Sequence, residues 1–202
     1  MHIIATGFTE FGIVKDNSSK YALSNSHLNS NVLKKYLSVD LNKTKEELCQ
    51  IINDKPDLLI MFGQSGKSDK IHIEKCARNI LNFKIEDNGG NKPINSKIID
   101  NGEDILNTKI DIVSLNKYLN DTDIPSEMSI DAGEYICNYS YYLALNSEIN
   151  AIFIHLPLYT NQSDNDLYHY MDKNVLIKAV ELITNYLEEL WLLKTQNILK
   201  QR

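Results

Sequence analysis

The stretch Asp57–Lys70, DLLIMFGQSGKSDK, places a continuous apolar run directly before a glycine-containing turn. Residues 58–62 have the length and the unbroken apolar character of a strand that is covered on both faces. Further runs of this kind occur at 2–5, 37–41 and 151–154, and segments with a helical period lie between them. This alternation is typical of a mostly parallel, twisted sheet with helices packed on it, so the sequence predicts an α/β fold.

Local signals predict a helix and a hairpin within this outline. Residues 44–47 have the pattern of a capping box that opens a helix, and residues 54–56 have the composition of a helix end. The turn sequence NGGN at 88–91 predicts an antiparallel hairpin between strands at 80–86 and 94–99. We therefore expect a mixed sheet with this hairpin as an antiparallel addition.

The last part of the sequence has apolar residues at spacings of three and four, which predicts a long amphipathic helix packed on the sheet. They are Leu176, Val180, Ile183, Leu187 and Leu190. Residues 194–202 are expected to form a frayed end. A chain of 202 residues is long enough for one sizeable core and short for two, so a single domain over 1–202 is expected.

Charge and cysteine content narrow the function classes. A net charge of -6 and a pI near 5.4 disfavour nucleic acid and anionic membranes, because such partners require clustered basic side chains. The start, MHIIATGF, lacks a charged leader, and no apolar run approaches the roughly 20 residues that span a bilayer, so a cytoplasmic location is expected. Cys49, Cys76 and Cys137 match no metal or redox spacing, so we expect free thiols and no metal.

The turn at Gly66-Lys67-Ser68 looks like part of a phosphate-binding loop. That loop needs a glycine five positions before its Gly-Lys-Ser glycine, so that consecutive N–H groups wrap the phosphates. Met61 occupies this position, and starting at Gly63 would make the loop too short. A nucleotide site is disfavoured, although the carboxyl end of a parallel strand is a place where open α/β sheets bind ligands.

Two residues are candidates for nucleophilic catalysis. Asp131 and Glu134 have the spacing of a helix cap, which would put Cys137 within the first two turns of a helix, where a thiolate is favoured. His155 lies at the carboxyl end of the apolar strand predicted within 150–157, which Pro157 stops, and it is a candidate general base for that thiol. Each residue taken alone is more often a buried structural side chain.

A base of this kind needs an orienting group. Glu74 lies between apolar residues of the segment 71–79 and could accept a hydrogen bond from the imidazole, which would fix its tautomer. Asp69, Asp131 and Glu86 are equally available, and spacing alone does not choose among the four carboxylates.

Five segments, in this order, resemble the pyroglutamyl-peptidase I family of cysteine peptidases. They are TGFTEFG (6–12), FGQSG (62–66), IEKCARN (73–79), SIDAGEYICN (129–138) and FIHLP (153–157). The resemblance covers nearly the whole chain. It implies a three-layer α/β/α sandwich that removes an N-terminal pyroglutamyl (5-oxoprolyl) residue from small peptides without metal or organic cofactor. Assembly as a homodimer or homotetramer is implied as a possibility.

The resemblance also implies roles for individual residues. Cys137 matches the nucleophile that forms a thioester, His155 the base and Glu74 the orienting acid. The residues that match the substrate pocket are Phe8, Phe11, Asn17, Gln64, Tyr135 and Ile136. Gln64 would read the lactam amide, and Phe8 and Phe11 would flank the ring.

Several positions depart from the family pattern. Glu10 and Ser18 stand where the family has proline, and Lys67-Ser68 stands where it has glycine and arginine. A family arginine that helps order the site is matched by Lys84, and lysine lacks the planar fork needed for bidentate contacts. The alternative to an active peptidase is therefore a catalytically impaired homologue that still binds a pyroglutamyl ligand.

Overall fold

A computed structural model of the chain describes residues 1–11, 16–162 and 168–200, apart from the side chains of 194 and 197–200. The helices are α1 Ser18–Asn25, α2 Leu41–Asn53, α3 Ile112–Asp121, α4 Ile136–Asn146 and α5 Lys173–Lys200. The strands are β1 Ile3–Phe8, β2 Val32–Leu37, β3 Leu58–Gln64, β4 Ile71–Glu74, β5 Cys76–Arg78, β6 Ile105–Asn107, β7 Ser126–Ser129, β8 Ala151–Leu156, β9 Leu158–Tyr159 and β10 Tyr170–Met171.

The main sheet has six strands in the order β2-β1-β3-β8-β4-β7. Neighbouring strands are parallel except β4 and β8, which are antiparallel, so β4 and β7 run against the other four. The predicted mixed, mostly parallel sheet is confirmed. Its central strands β1, β3 and β8 consist of buried residues apart from Gln64, as expected from their continuous apolar sequences.

Alternate side chains of these strands enter two separate cores. In β3, Leu58, Ile60 and Phe62 join a cluster that includes side chains of α1, α3 and α5. Leu59 and Met61 join the cluster that includes side chains of α2 and α4. This division is what the predicted three-layer arrangement requires, and the layering itself stays a prediction.

The start of α2 differs from the prediction. Asp40 caps the helix by accepting bonds from the N–H groups of Asn42 and Lys43, and it lies four residues before Thr44, the predicted cap. Thr44 is buried inside the helix, and Glu47 instead accepts bonds from the N–H and hydroxyl of Ser38. The helix ends at Asn53, next to the predicted end.

The predicted strand at 37–41 is wrong, because that segment forms the approach to the α2 cap. The strand lies earlier, at Val32–Leu37, where it is paired with β1 at the edge of the main sheet. Its interior includes Lys34 and Lys35, and such charged residues are common on edge strands. Apolar content alone therefore misplaced this strand.

The predicted hairpin is also wrong. Segments 80–86 and 94–99 meet in a single antiparallel bridge between Leu81 and Ser96, without extended strands. The Asn79 side chain accepts bonds from the N–H groups of Ile98 and Ile99, which satisfies backbone groups that a strand partner would otherwise satisfy. The antiparallel pairs seen are β4 with β8 and β5 with β6.

The long helix α5 matches the predicted amphipathic segment. Leu176, Val180, Ile183 and Leu187 are buried in the first cluster. The helical backbone continues to Lys200, beyond the point where a frayed end was predicted, and residues 201 and 202 lie outside the described part. Within that part, no helix combines the length and the apolar character that a membrane span requires.

Candidate active site

The centre of the site is a buried contact between β8 and β4. In the antiparallel pairing Glu74 lies opposite Phe153, so its side chain shares a face with His155 two residues further along β8. His155 Nδ1 lies 2.8 Å from Glu74 Oε1, and the two residues are 7% and 0% exposed. The backbone carbonyl of Glu74 accepts a hydrogen bond of 3.0 Å from the Tyr141 hydroxyl, which anchors the end of β4.

Cys137 approaches the imidazole from the first turn of α4. Tyr135 is the N-cap residue and makes no side-chain capping bond, and Cys137 is the second helical residue. Its thiol lies close enough to the imidazole to be one of the groups that raise the pKa of His155. The helix start is confirmed, but Asp131 and Glu134 do not cap it, because Asp131 accepts bonds from the Gly133 N–H and from a guanidinium instead. N–H groups of the first turn stay free of a side-chain cap and create a positive potential beside the sulfur.

The electrostatics of the site favour a protonated imidazole. Burial by itself lowers the pKa of His155, but hydrogen bonds and negative charge from Cys137 and Glu74 outweigh burial and raise that pKa to about 10. An imidazolium held between a carboxylate and a sulfur is the state that stabilises a thiolate. The arrangement can therefore supply a charged nucleophile and a proton donor side by side.

Gly63 allows this approach. It pairs with His155 in the β3–β8 ladder. A Cβ at this position would lie 2.7 Å from the Phe153 ring, closer than packed atoms tolerate, and 3.1 Å from Cys137 Sγ, a tight contact that would push on the sulfur. Nothing in the sequence around Gly63 points to this role, because no local signal shows that a missing side chain makes room for the thiol.

A small cavity lies at the end of β3, where its lining residue Gln64 directly follows Gly63. Its volume is about 170 Å³, and it is lined by Phe11, Asp16, Asn17, Gln64, Gly66, Leu158 and Tyr168. An apolar cavity of about 150 Å³ is large enough for benzene, so one small ring fits the available space. Phe11 connects the cavity to the helix start, because its ring centroid lies 5.5 Å from that of Tyr135. The predicted residues Phe11, Asn17 and Gln64 thus come together.

The other predicted pocket residues occupy the surrounding core. Phe8 is 2% exposed and packs against Phe153, with 6.2 Å between the ring centroids. Ile136 is 1% exposed in the second core cluster. Tyr135 packs on Phe83 at 4.3 Å. Lys84 is exposed and makes no ion pair with the described residues, so the structure gives it no contact with the cluster.

The structure distinguishes the four candidate carboxylates by their surroundings. Asp69 and Glu86 are exposed, and Asp131 pairs with Arg78 Nη2 at 2.9 Å. Within the described residues, Glu74 is the carboxylate that contacts His155. Geometry therefore selects the residue that spacing left open.

Comparisons with known proteins identify the family of the chain. The profile of the pyroglutamyl peptidase family matches residues 1–185. The chain belongs to this family. A pyrrolidone-carboxylate peptidase of Brachyspira hyodysenteriae is 35% identical and covers 91% of this chain and 96% of its own. The corresponding protein of Thermococcus onnurineus is 31% identical, with the same two coverages of 91% and 96%.

Solved structures of pyroglutamyl peptidases share the fold. The pyrrolidone carboxyl peptidase of Fervidobacterium islandicum aligns with a TM-score of 0.87 at 32% identity, over 94% of this chain and 99% of that chain. A variant of the Pyrococcus furiosus enzyme aligns at 0.86 and 28% identity, over 94% and 100%. The predicted family and α/β fold are confirmed, and the protein is an enzyme of the cysteine hydrolase class.

Proposed function

We propose that this pyroglutamyl peptidase removes the N-terminal pyroglutamyl residue of peptides with Cys137 as nucleophile, His155 as base and Glu74 as orienting acid. The observation that carries the proposal is the buried hydrogen bond between the Glu74 carboxylate and the His155 imidazole, together with the Cys137 thiol, which acts on the same imidazole and helps to raise its pKa. These three groups are far apart in the sequence, and their meeting inside a family of cysteine hydrolases supports a joint role.

The proposed reaction begins with the thiol proton on His155. The Cys137 thiolate attacks the pyroglutamyl carbonyl carbon, and the oxyanion that forms faces the N–H groups at the start of α4, which have no side-chain cap. The imidazolium then gives its proton to the leaving amine, and the C–N bond breaks to leave a thioester. A water molecule that loses its proton to His155 hydrolyses the thioester, which releases pyroglutamate and restores the thiol.

Glu74 supports these proton transfers without receiving the proton. Its oxygen accepts the Nδ1–H of His155, so the other ring nitrogen is directed to the sulfur. The negative charge of Glu74 also stabilises the imidazolium, as the raised pKa of His155 reflects. An exposed carboxylate would be screened by water, whereas Glu74 is fully buried.

The cavity beside Phe11 is the proposed site of the lactam ring. The ring is flat, small and uncharged, and an apolar slot with a few polar groups is its matching surface. Gln64 and Asn17 line it with amide side chains, Phe11 lines it with its ring, and Tyr135 packs against the Phe11 ring. Phe8 and Ile136 belong to the core cluster that Phe11 and Tyr135 pack against. A free N-terminal amine would lose its hydration without gaining a full set of partners, which favours the lactam. A nucleophilic thiol also suits a reducing compartment, which supports a cytoplasmic location.

A fluorogenic pyroglutamyl amide tests the proposal directly. The wild type should release the fluorophore, a glutaminyl amide with a free amine should react far more slowly, and Cys137→Ala should be inactive. Cys49→Ala is the matched control, because Cys49 is exposed on α2 and should be dispensable. Turnover by Cys137→Ala comparable to that of the wild type would rule out the mechanism. Protection of Cys137 from alkylation by a pyroglutamyl ligand, without product release, would instead indicate an impaired binder.

A further inference from the structure

The side-chain carbonyl of Gln64 is already occupied in the structure. Its Oε1 accepts a bond of 2.7 Å from the backbone N–H of Ser18 and one of 2.5 Å from Gln162 Nε2. A backbone N–H can only donate, so the Gln64 amide cannot be reversed without breaking the Ser18 bond. With both acceptor positions of Oε1 used, the group that Gln64 can offer to the cavity is its NH₂.

The orientation of Gln162 is fixed in the same way. Its Oε1 accepts a bond of 2.9 Å from the backbone N–H of Tyr159. Its Nε2 is thereby directed to Gln64 Oε1 and to the backbone carbonyl of Asp16, at 2.5 Å and 3.2 Å. One amide side chain therefore connects the segment before α1, the end of β3 and the end of β9.

Tyr159 gives this connection a firm base. The residue is 7% exposed, and its hydroxyl donates to Asp16 Oδ2 at 2.5 Å. The ammonium group of Lys173 lies over the Tyr159 ring, 4.3 Å from its centroid. Tyr159 is thus held at its hydroxyl, its ring and its backbone N–H, and it holds Gln162 in turn.

We propose that Gln162 is a positioning residue of the lactam site, which holds Gln64 so that Gln64 presents hydrogen-bond donors alone to the substrate. The proposal rests on the proposed function, in which the ring occupies the cavity lined by Gln64. It predicts the orientation of the ring: the lactam carbonyl, and not the lactam N–H, faces Gln64. Rings without this carbonyl, such as proline, would cover the NH₂ of Gln64 without offering it an acceptor and would bind poorly.

Gln162→Glu tests the proposal. The carboxylate can still accept the Tyr159 N–H, but its second oxygen would face Gln64 Oε1 and the Asp16 carbonyl without a proton between them. At about pH 8 the carboxylate is ionised and cannot donate to Gln64 Oε1. We expect affinity for the lactam ring to fall about 10- to 100-fold, because the Gln64 amide then turns or moves. The oxygens of Gln64 and Asp16 that face the ionised carboxylate disfavour its charge and raise the pKa of the introduced carboxyl. At about pH 5 the protonated carboxyl can then donate as glutamine does, so affinity should recover toward that of the wild type.

The readout is the concentration of 2-pyrrolidone, the bare lactam ring, that half-protects Cys137 from iodoacetamide, followed on the Cys137 peptide by mass spectrometry. At each pH, the half-protecting concentration of the variant is divided by that of the wild type. This ratio removes the effect of ionisable groups that both proteins share, including Asp16 and His155. KM for the fluorogenic pyroglutamyl amide should rise by about the same factor as the half-protecting concentration. The change in kcat should stay below about threefold, because the hydrogen bonds of Gln162 go to Gln64, Asp16 and Tyr159 and not to Cys137, His155 or Glu74.

Two further variants complete the test. Gln162→Met has a similar length but no donor, so its loss of affinity should be independent of pH. Gln50→Glu, on the exposed face of α2, adds the same charge and should behave as the wild type. Ring affinity of Gln162→Glu within about twofold of the wild type near pH 8, or a loss that does not recover near pH 5, would overturn the inference. A wild type that is protected by 2-pyrrolidone but never cleaves the amide would instead overturn the proposed function.

Discussion

Replacing Glu74 with glutamine removes one negative charge beside His155 and keeps the size of the side chain. In the wild type the two groups are joined by a bond of 2.8 Å in a fully buried setting. Hydrogen bonds to charged groups contribute about 1.5–3 kcal/mol, and each 1.36 kcal/mol is about a factor of ten, so the loss of this bond in the imidazolium state slows the reaction about 10- to 150-fold.

A second effect acts in the same direction. The glutamine amide can turn its NH₂ toward Nδ1, which would place the imidazole proton on the nitrogen that faces Cys137. A reversed tautomer of this kind costs related triads about 10⁴-fold in kcat. We therefore expect Glu74→Gln to lower kcat for a pyroglutamyl amide at least about 100-fold, with a smaller change in KM.

The pH profile provides an independent check. Glu74 is one of the groups that raise the pKa of His155 to about 10, so its neutralisation lowers that pKa. The alkaline limb of kcat/KM should then move to lower pH in the variant. Glu86→Gln is the matched control, since Glu86 is exposed and the change in charge is the same. A Glu74→Gln enzyme with at least half of the wild-type kcat and an unmoved alkaline limb would refute the assignment of the orienting acid.

Three further predictions concern stability. Gly63→Ala adds a Cβ that would lie 2.7 Å from the Phe153 ring. Urea titration should show a free energy of unfolding lower by about 1–3 kcal/mol, and an unchanged midpoint would contradict the packing. Asn138→Ala removes an amide that is hydrogen-bonded to three backbone groups of the segment 78–80. The free energy of unfolding should fall by about 3 kcal/mol or more, and a fall below about 1 kcal/mol would contradict these contacts. The pKa of His155 is raised from 6.5 to about 10, so the folded chain retains a proton that the unfolded chain releases. That stabilisation is complete below the unfolded value and is lost as pH rises to the folded one, so the stability advantage of the wild type over Glu74→Gln should narrow across this window.

The fold could be predicted where burial is complete. Strands β1, β3 and β8 are covered on both faces, and their apolar runs mark them in the sequence. The edge strands β2 and β7 carry polar or charged residues in a short span, and their pairing depends on partners elsewhere in the chain. The α2 cap shows a local form of the same limit, because Asp40 and Thr44 are both acceptable caps and the structure uses Asp40.

The site could be predicted less completely than the fold. Cys137 and His155 are visible from a helix start and a strand end, but the choice of Glu74 depends on the antiparallel pairing of β4 with β8, which no spacing reveals. The resemblance to the family selected Glu74, and the structure supplies the contact. No sequence pattern pointed to Gln162. Its proposed role depends on hydrogen bonds to Gln64 and Asp16, which lie 98 and 146 residues away along the chain.

The reversed direction of β4 has a consequence for how this enzyme can change. Glu74 reaches the imidazole from inside the main sheet, whereas the cavity is lined mostly by residues outside that sheet: Phe11, Asp16, Asn17, Gly66, Leu158 and Tyr168. In the proposed mechanism, proton transfer and ring recognition therefore depend largely on different segments of the chain. New ring preferences can be engineered at these lining residues, and natural substitutions there can broaden or narrow the accepted substrates while the machinery of bond cleavage is inherited intact.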